Sequence, residues 1–312
     1  MLVHTLACEA HLWFAIPCLK SLLACSEEPV QFVIHDDGSL TEESFARFAS
    51  AFPDAELLSR RAADELLAEP LKRFPNMAEA RSHLPHVLKL FDTTMTHPET
   101  IICYVDTDVL FQKRFRGLFP ESVETAGSKQ TTGLAQAGGL AKATGSRQET
   151  SGAFMMDHAN CFGAHPGDFW PLGPLRVARQ LNSGLFWVKR DRIDYERMEY
   201  LFKRWGPARI KKYHGWFEQT IWADHAWRTR CSLFDPDQFG TASAEENGRL
   251  VGVHYVTPTR NMLKVRLESG LAVTAGPLEA VEEIRVLPSK PFGVLGAAYV
   301  AACSVVSRNE TG

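Results

Sequence analysis

Short apolar runs alternate with amphipathic stretches through the first third of the chain. Leu2 to Leu6 and Val30 to Ile34 are apolar-rich and too short for helices, so they predict strands. Between them Leu12 to Leu23 predicts a helix. Ser39-Leu40-Thr41-Glu42 has the capping-box pattern and predicts a helix from Ser39 towards Phe52. A short strand at 55–58, a helix at 62–67, and a helix from His86 to Met95 with Pro85 in its first turn follow. The cleanest run is Ile101-Ile102-Cys103-Tyr104-Val105. It leads straight into Asp106-Thr107-Asp108 and then Val109-Leu110-Phe111. Strands alternating with helices predict an α/β fold: three layers, α/β/α, Rossmann-like, around a mostly parallel sheet.

The texture changes between Thr125 and Ala153, where Gly, Ala, Ser, Thr and Gln replace large apolar residues. That composition predicts a surface loop or insertion, with a mobile lid as its functional reading. Beyond it, Leu185 to Val188 predicts a strand entered through Asn182-Ser183-Gly184. Asp191 predicts the cap of a helix carrying Met198, Leu201, Phe202 and Trp205 on one face. Another helix is expected over 217–227, and last strands over 231–234 and 250–255. The domain expectation is one unit over 1–260 and a tail, 261–312, packed on it. Trp205, Trp216, Phe217, Trp222 and Trp227 have helical spacing, which predicts mostly core, with some rings left to line an acceptor groove.

Composition narrows the classes. With 312 residues, 45% apolar and 23% charged, the chain can bury a full core. A net charge of -3 without a basic stripe excludes nucleic acid as a partner. The 7 cysteines include no C-x-x-C pair, which argues against a disulfide framework and a structural zinc, and for a reducing, cytoplasmic setting. The N-terminus reads as a poor signal peptide. Residues 292–306 are apolar but too short for a membrane span, leaving peripheral membrane contact open.

The chemistry sits at Asp106 and Asp108. Ligands of open α/β sheets bind outside the C-terminal ends of the strands. Two carboxylates one residue apart repel unless a cation lies between them, which points to a divalent metal carrying a substrate's phosphates.

Asp106-Thr107-Asp108-Val109 resembles the motifs of two families. One is the haloacid-dehalogenase-like Mg²⁺ phosphohydrolases. Their nucleophile motif normally opens the domain, and here it lies deep in the chain. The similar segment Ile34-His35-Asp36-Asp37-Gly38-Ser39-Leu40 has His35 where the nucleophile belongs. The other is the GT-A glycosyltransferases, and there the likeness runs from residue 1 to about 265. Asp36-Asp37-Gly38-Ser39, Lys89, the Asp-x-Asp itself, Asn182-Ser183-Gly184, Glu218-Gln219, Val253-His254-Tyr255 and Lys264 come in the order of the glycogenin- and galactosyltransferase-like branch, glycosyltransferase family 8-like.

That resemblance implies a nucleotide-sugar hexosyltransferase. It implies a Mn²⁺ or Mg²⁺ ion on Asp106, Asp108 and His254, and imidazole beside carboxylates favours Mn²⁺. It places the donor, UDP-linked, on Asp36, Asp37, Lys89, Asp106 and Lys264. It places the sugar and acceptor on Asn182, Ser183 and Gly184, and catalysis on Glu218 and Gln219. The acceptor is a saccharide, lipid or protein. Similar enzymes retain anomeric configuration by front-face attack; were the reaction inverting, Glu218 would be the general base. Besides the phosphohydrolase, the alternative is a nucleotide-sugar-binding protein without turnover.

Overall fold

The computed structural model describes residues 1–120, 150–212, 214–243, 249–269 and 281–292, together with Gly296. Strands β1 (Leu2–Ala7), β2 (Gln31–Asp36), β3 (Glu56–Leu58) and β4 (Ile101–Val105) run parallel. Helices α1 (Leu12–Cys25), α2 (Glu42–Ala51), α3 (Arg60–Leu67), α4 (Pro75–His83) and α5 (Leu88–Met95) connect them. Next come β5 (Val109–Phe111), β6 (Phe115–Arg116), β7 (Gly152–Met156), β8 (Val177–Ala178) and β9 (Leu181–Lys189). Helices α6 (Tyr195–Lys212) and α7 (His214–Thr229) precede β10 (Ser232–Phe234), β11 (Phe239–Thr241) and β12 (Gly252–His254). Helix α8 (Arg260–Glu268) and the short β13 (Glu282–Glu283), β14 (Val286–Pro288) and β15 (Pro291–Phe292) follow.

Eight strands form the main sheet in the order β14-β10-β7-β9-β4-β1-β2-β3. Only β9 and β14 oppose their neighbours. The sheet is buried on both faces, which explains why β4 reads as an unbroken apolar run. Successive side chains alternate faces. Ile102 and Tyr104 join Phe91, Phe186, Phe202 and Trp222 in one core, under α5, α6 and α7. Cys103 and Val105 join Ala15, Leu19 and Leu22 of α1 and Phe48 of α2 in the other. Of the aromatic set, Trp205, Phe217 and Trp222 are core, whereas Trp216 is exposed.

Several local expectations change. Ser39 does not cap α2, because its hydroxyl is engaged by Glu9 N–H and Asp37; Thr41 caps it instead, accepting from Ser44 N–H at 3.2 Å. Asp194, not Asp191, accepts the first-turn N–H of α6, from Arg197 at 2.8 Å. Asn182-Ser183-Gly184 lies within β9 rather than in a turn before it. The last apolar run, β12, belongs to a separate sheet, β11-β12-β5. Of the glycine- and serine-rich stretch, 125–149 and its lid reading lie outside the described residues, as does most of 292–306. Among the described residues no helix is long and apolar enough to cross a membrane.

Candidate active site

The turn Asp106-Thr107-Asp108 carries the chain from the main sheet into the small one. Its backbone is tied on both sides: Asp106 N–H donates to Gly184 O at 2.7 Å, and Tyr255 N–H to Asp108 O at 2.9 Å. Because β12 pairs antiparallel with β5, His254 lies opposite Val109 and its ring reaches the acid pair. His254 Nε2 is 3.0 Å from Asp108 Oδ1 and 3.7 Å from Asp106 Oδ2. One ligand atom from each of Asp106, Asp108 and His254 lies within 4.8 Å of the others, a spacing and donor set that fit a divalent ion. Two loop carboxylates and one strand histidine therefore converge.

Cations surround the pair. Lys89 Nζ, from α5, donates to Asp106 Oδ2 at 2.9 Å and to Ser183 O at 3.3 Å. The same ammonium lies 3.7 Å from Glu218 Oε2. Burial opposes its charge, but Asp106 and Glu218 outweigh that and hold the Lys89 pKa above its usual value. Asp108 is nearly buried. Burial favours its neutral form, yet His254 and Arg260 outweigh it and keep the carboxyl well below the usual range. His254 is raised in turn: burial lowers it, and Asp108 and Asp106 more than reverse that.

Glu218 sits in α7 with Gln219, both buried. Ser183 Oγ donates to Glu218 Oε2 at 3.0 Å, and Gln219 Nε2 donates to Cys161 O at 2.8 Å. Burial pushes the Glu218 carboxyl up to about 7; Lys89 pulls it down and Asp106 pushes it up. The Lys89 ammonium lies closer to Asp106, at 2.9 Å, than to Glu218, at 3.7 Å. Glu218 Oε1 is buried without a hydrogen-bond partner among the described residues.

Other expected residues have partners outside the acid pair and His254. Asp36 takes the backbone N–H groups of Gly38, Leu40 and Arg60, so both its oxygens hold the β2 loop against the start of α3. Gly38 has φ of 100°, a conformation suited to glycine in that turn. Asp37 accepts from Ser39 N–H at 3.0 Å. Lys264 faces solvent and pairs loosely with Glu268 at 3.9 Å. The basic residue at the site is Arg260, one turn earlier in α8. Its Nε and Nη2 donate to Asp108 Oδ2 at 3.1 and 2.9 Å, and Nη1 donates to His11 Nε2 at 2.8 Å. Tyr104 OH, the other addition, donates to Asp106 Oδ1 at 2.6 Å. Tyr104 stands near the end of β4, two residues before Asp106, a spacing from which its hydroxyl reaches the carboxylate.

No protein-family model matches the sequence, and no curated protein matches it. Among solved structures, the chain is similar to the galactosyltransferase LgtC in complex with donor and acceptor sugar analogs. The identity is 12%, 89% of this chain and 98% of that chain are covered, and the TM-score is 0.51. Mouse xyloside xylosyltransferase 1 in its apo form is similar at 10% identity, 82% and 98% coverage and TM-score 0.45. The mannosyltransferase Ktr4p from S. cerevisiae is similar at 12% identity, 72% and 65% coverage and TM-score 0.41. The first likeness, with the sheet order above, defines the fold as that of a GT-A glycosyltransferase. Architecture is what is shared at this identity.

Proposed function

We propose that the protein is a metal-dependent glycosyltransferase that moves a hexose from a nucleotide sugar, UDP-linked, to a saccharide, lipid or protein acceptor with retention. The observation that carries this reading is the convergence of Asp106, Asp108 and His254 at the β4 end, flanked by Lys89 and Arg260. Asp106, Asp108 and His254 would hold Mn²⁺ or Mg²⁺, which when bound supplies positive charge against the leaving diphosphate.

The remaining roles follow from position. Lys89 and Arg260 add fixed positive charge on either side of the acid pair, where a diphosphate gains negative charge on bond cleavage. Glu218, buried behind Lys89, presents a carboxyl able to carry or release a proton near neutral pH, suited to a sugar or acceptor hydroxyl. Tyr104 and Lys89 hold the Asp106 carboxylate in one orientation. Six described cysteines are free thiols, which supports a cytoplasmic setting.

Turnover tests the reading. Each UDP-hexose is incubated with protein and Mn²⁺, and nucleotide release and the anomeric proton of the product are followed by NMR. Mn²⁺-dependent UDP release with the donor's anomeric configuration is expected. Tight donor binding without release, with or without added saccharides, would instead identify a binding protein that has lost turnover.

A further inference from the structure

We propose that Asn182 is a positioning residue for His254: it selects the imidazole nitrogen that faces Asp106 and Asp108, while Gly184 clears the space the ring occupies. The inference rests on the metal-site reading above, and it gives Asn182 and Gly184 a role other than sugar contact.

The orientation of the Asn182 amide is fixed by the backbone. Gly184 N–H, which can only donate, points at Asn182 Oδ1 at 2.8 Å. That identifies the oxygen end of the amide. His254 Nδ1 lies 2.9 Å from the same oxygen, so Nδ1 is the protonated, donating nitrogen. The nitrogen left to face the carboxylates is Nε2, 3.0 Å from Asp108 Oδ1 and 3.7 Å from Asp106 Oδ2. At the other end of the amide, Nδ2 lies 3.4 Å from Asp157 Oδ2, and Asp157 Oδ1 lies 3.4 Å from Thr241 Oγ1. Asn182 is 2% exposed, so its amide is turned inward.

Strand alternation divides the labour. Asn182 and Gly184 are two residues apart on β9 and share the face towards His254, while Ser183 points the other way and donates to Glu218. A Cβ at position 184 would lie 2.4 Å from both Cε1 and Nδ1 of His254 and 2.9 Å from Asn182 Oδ1. No side chain fits there without moving the ring. The β7–β9 register shifts between Asn182 and Phe186, and within this irregular stretch of the strand the His254 ring packs directly on Gly184. Histidines that bind metals commonly donate their second ring N–H to such an outer partner.

The test is titration of the full chain with MnCl₂ alone, by calorimetry and without nucleotide. Asn182→Ala and Gly184→Ala should each bind Mn²⁺ about 10–100-fold more weakly than wild type. The exchange variant Asp157→Asn/Asn182→Asp returns an acceptor to Nδ1 without setting two acids together. It should bind within about threefold of wild type. In Zn²⁺-loaded protein, the His254 Nδ1–H proton, identified by its loss in His254→Gln, should be slowly exchanging in wild type and exchange-broadened in Asn182→Ala. Wild-type Mn²⁺ affinity and an unchanged Nδ1–H signal in Asn182→Ala would overturn the positioning role alone. So would a folded exchange variant as weak as Asn182→Ala. Wild type that binds no Mn²⁺ would overturn the metal site and the positioning role together.

Discussion

Lys89 Nζ lies 2.9 Å from Asp106 Oδ2, so the cation of α5 and the acid at the end of β4 meet as a largely buried pair. The same ammonium is 3.7 Å from Glu218 Oε2, so one charge serves carboxylates on two elements. Lys89→Met removes it from both. Breaking a buried pair by removing one partner costs about 3–5 kcal/mol, and the partial exposure of Asp106 places this case at the lower end. Denaturant unfolding of the variant should show that loss. Wild-type stability would mean that the pair is not buried as described.

Glu218 gives a pH signature. Its pKa is raised from 4.5 to about 7 by burial, against the pull of Lys89. The folded protein therefore binds this proton more tightly than the unfolded chain does. The contribution to stability is fully present below about pH 4.5 and is lost as pH rises through about 7. Glu218→Gln cannot lose it. Relative to wild type, the variant should gain stability between about pH 5 and pH 7, by at most about 1.4 kcal/mol per pH unit. A difference that stays constant over that window would contradict a raised carboxyl.

His225 predicts the opposite trend. Burial pushes its pKa down to about 4, and its Nε2 has no hydrogen-bond partner among the described residues. The folded protein keeps it neutral, while the unfolded chain takes a proton below about pH 6.5. Stability is thus lost as pH falls from about 6.5 towards 4. His35, pushed by burial to about 3, adds to the same trend. His225→Phe should flatten the acid limb by up to about 1.4 kcal/mol per pH unit, read as the urea-unfolding free energy against pH. An unchanged limb would count against the buried neutral imidazole.

Arg260 and Lys264 separate two basic residues four positions apart. Arg260 touches Asp108; Lys264 pairs with Glu268 at the surface. Arg260→Gln should weaken nucleoside-diphosphate binding by about tenfold, the worth of one charge-assisted hydrogen bond. Lys264→Gln should leave it unchanged, since exposed pairs contribute about 0–1 kcal/mol. Equal losses in both variants would mean that the ligand reaches one turn further along α8 than Arg260.

Much of this site was legible because buried strands carry their pattern locally. The β4 run and its acid pair stand out by apolar continuity, whereas His254, at the end of a short apolar strand, is reached only through the family resemblance and its place in the order of motifs. What the sequence hid was set by contacts between distant segments. Ser39 fits a capping box by spacing, but Glu9, far away in the chain, holds its hydroxyl, and the cap passes to Thr41. Asn182-Ser183-Gly184 has turn composition, yet it lies within β9, where the pairing with β7 shifts register, and the His254 ring leaves no room for a Cβ at Gly184. Lys264 has the right charge and shares a helix face with Arg260, but it lies one turn further along α8, and it is Arg260 that bonds Asp108. Helix α4 has almost no amphipathic signal to find; it is held partly by Glu199 accepting from Asn76 and Met77.

The central claim is a divalent-metal site that receives a nucleotide sugar at Asp106, Asp108 and His254. Isothermal titration of UDP-hexoses into the protein, with and without Mn²⁺, tests it most directly, with Asp108→Ala as the paired variant. Binding of a UDP-hexose that requires Mn²⁺ and disappears in Asp108→Ala is the predicted result. Absence of binding by every nucleotide sugar with either Mn²⁺ or Mg²⁺, or binding unaffected by Asp108→Ala, would contradict it.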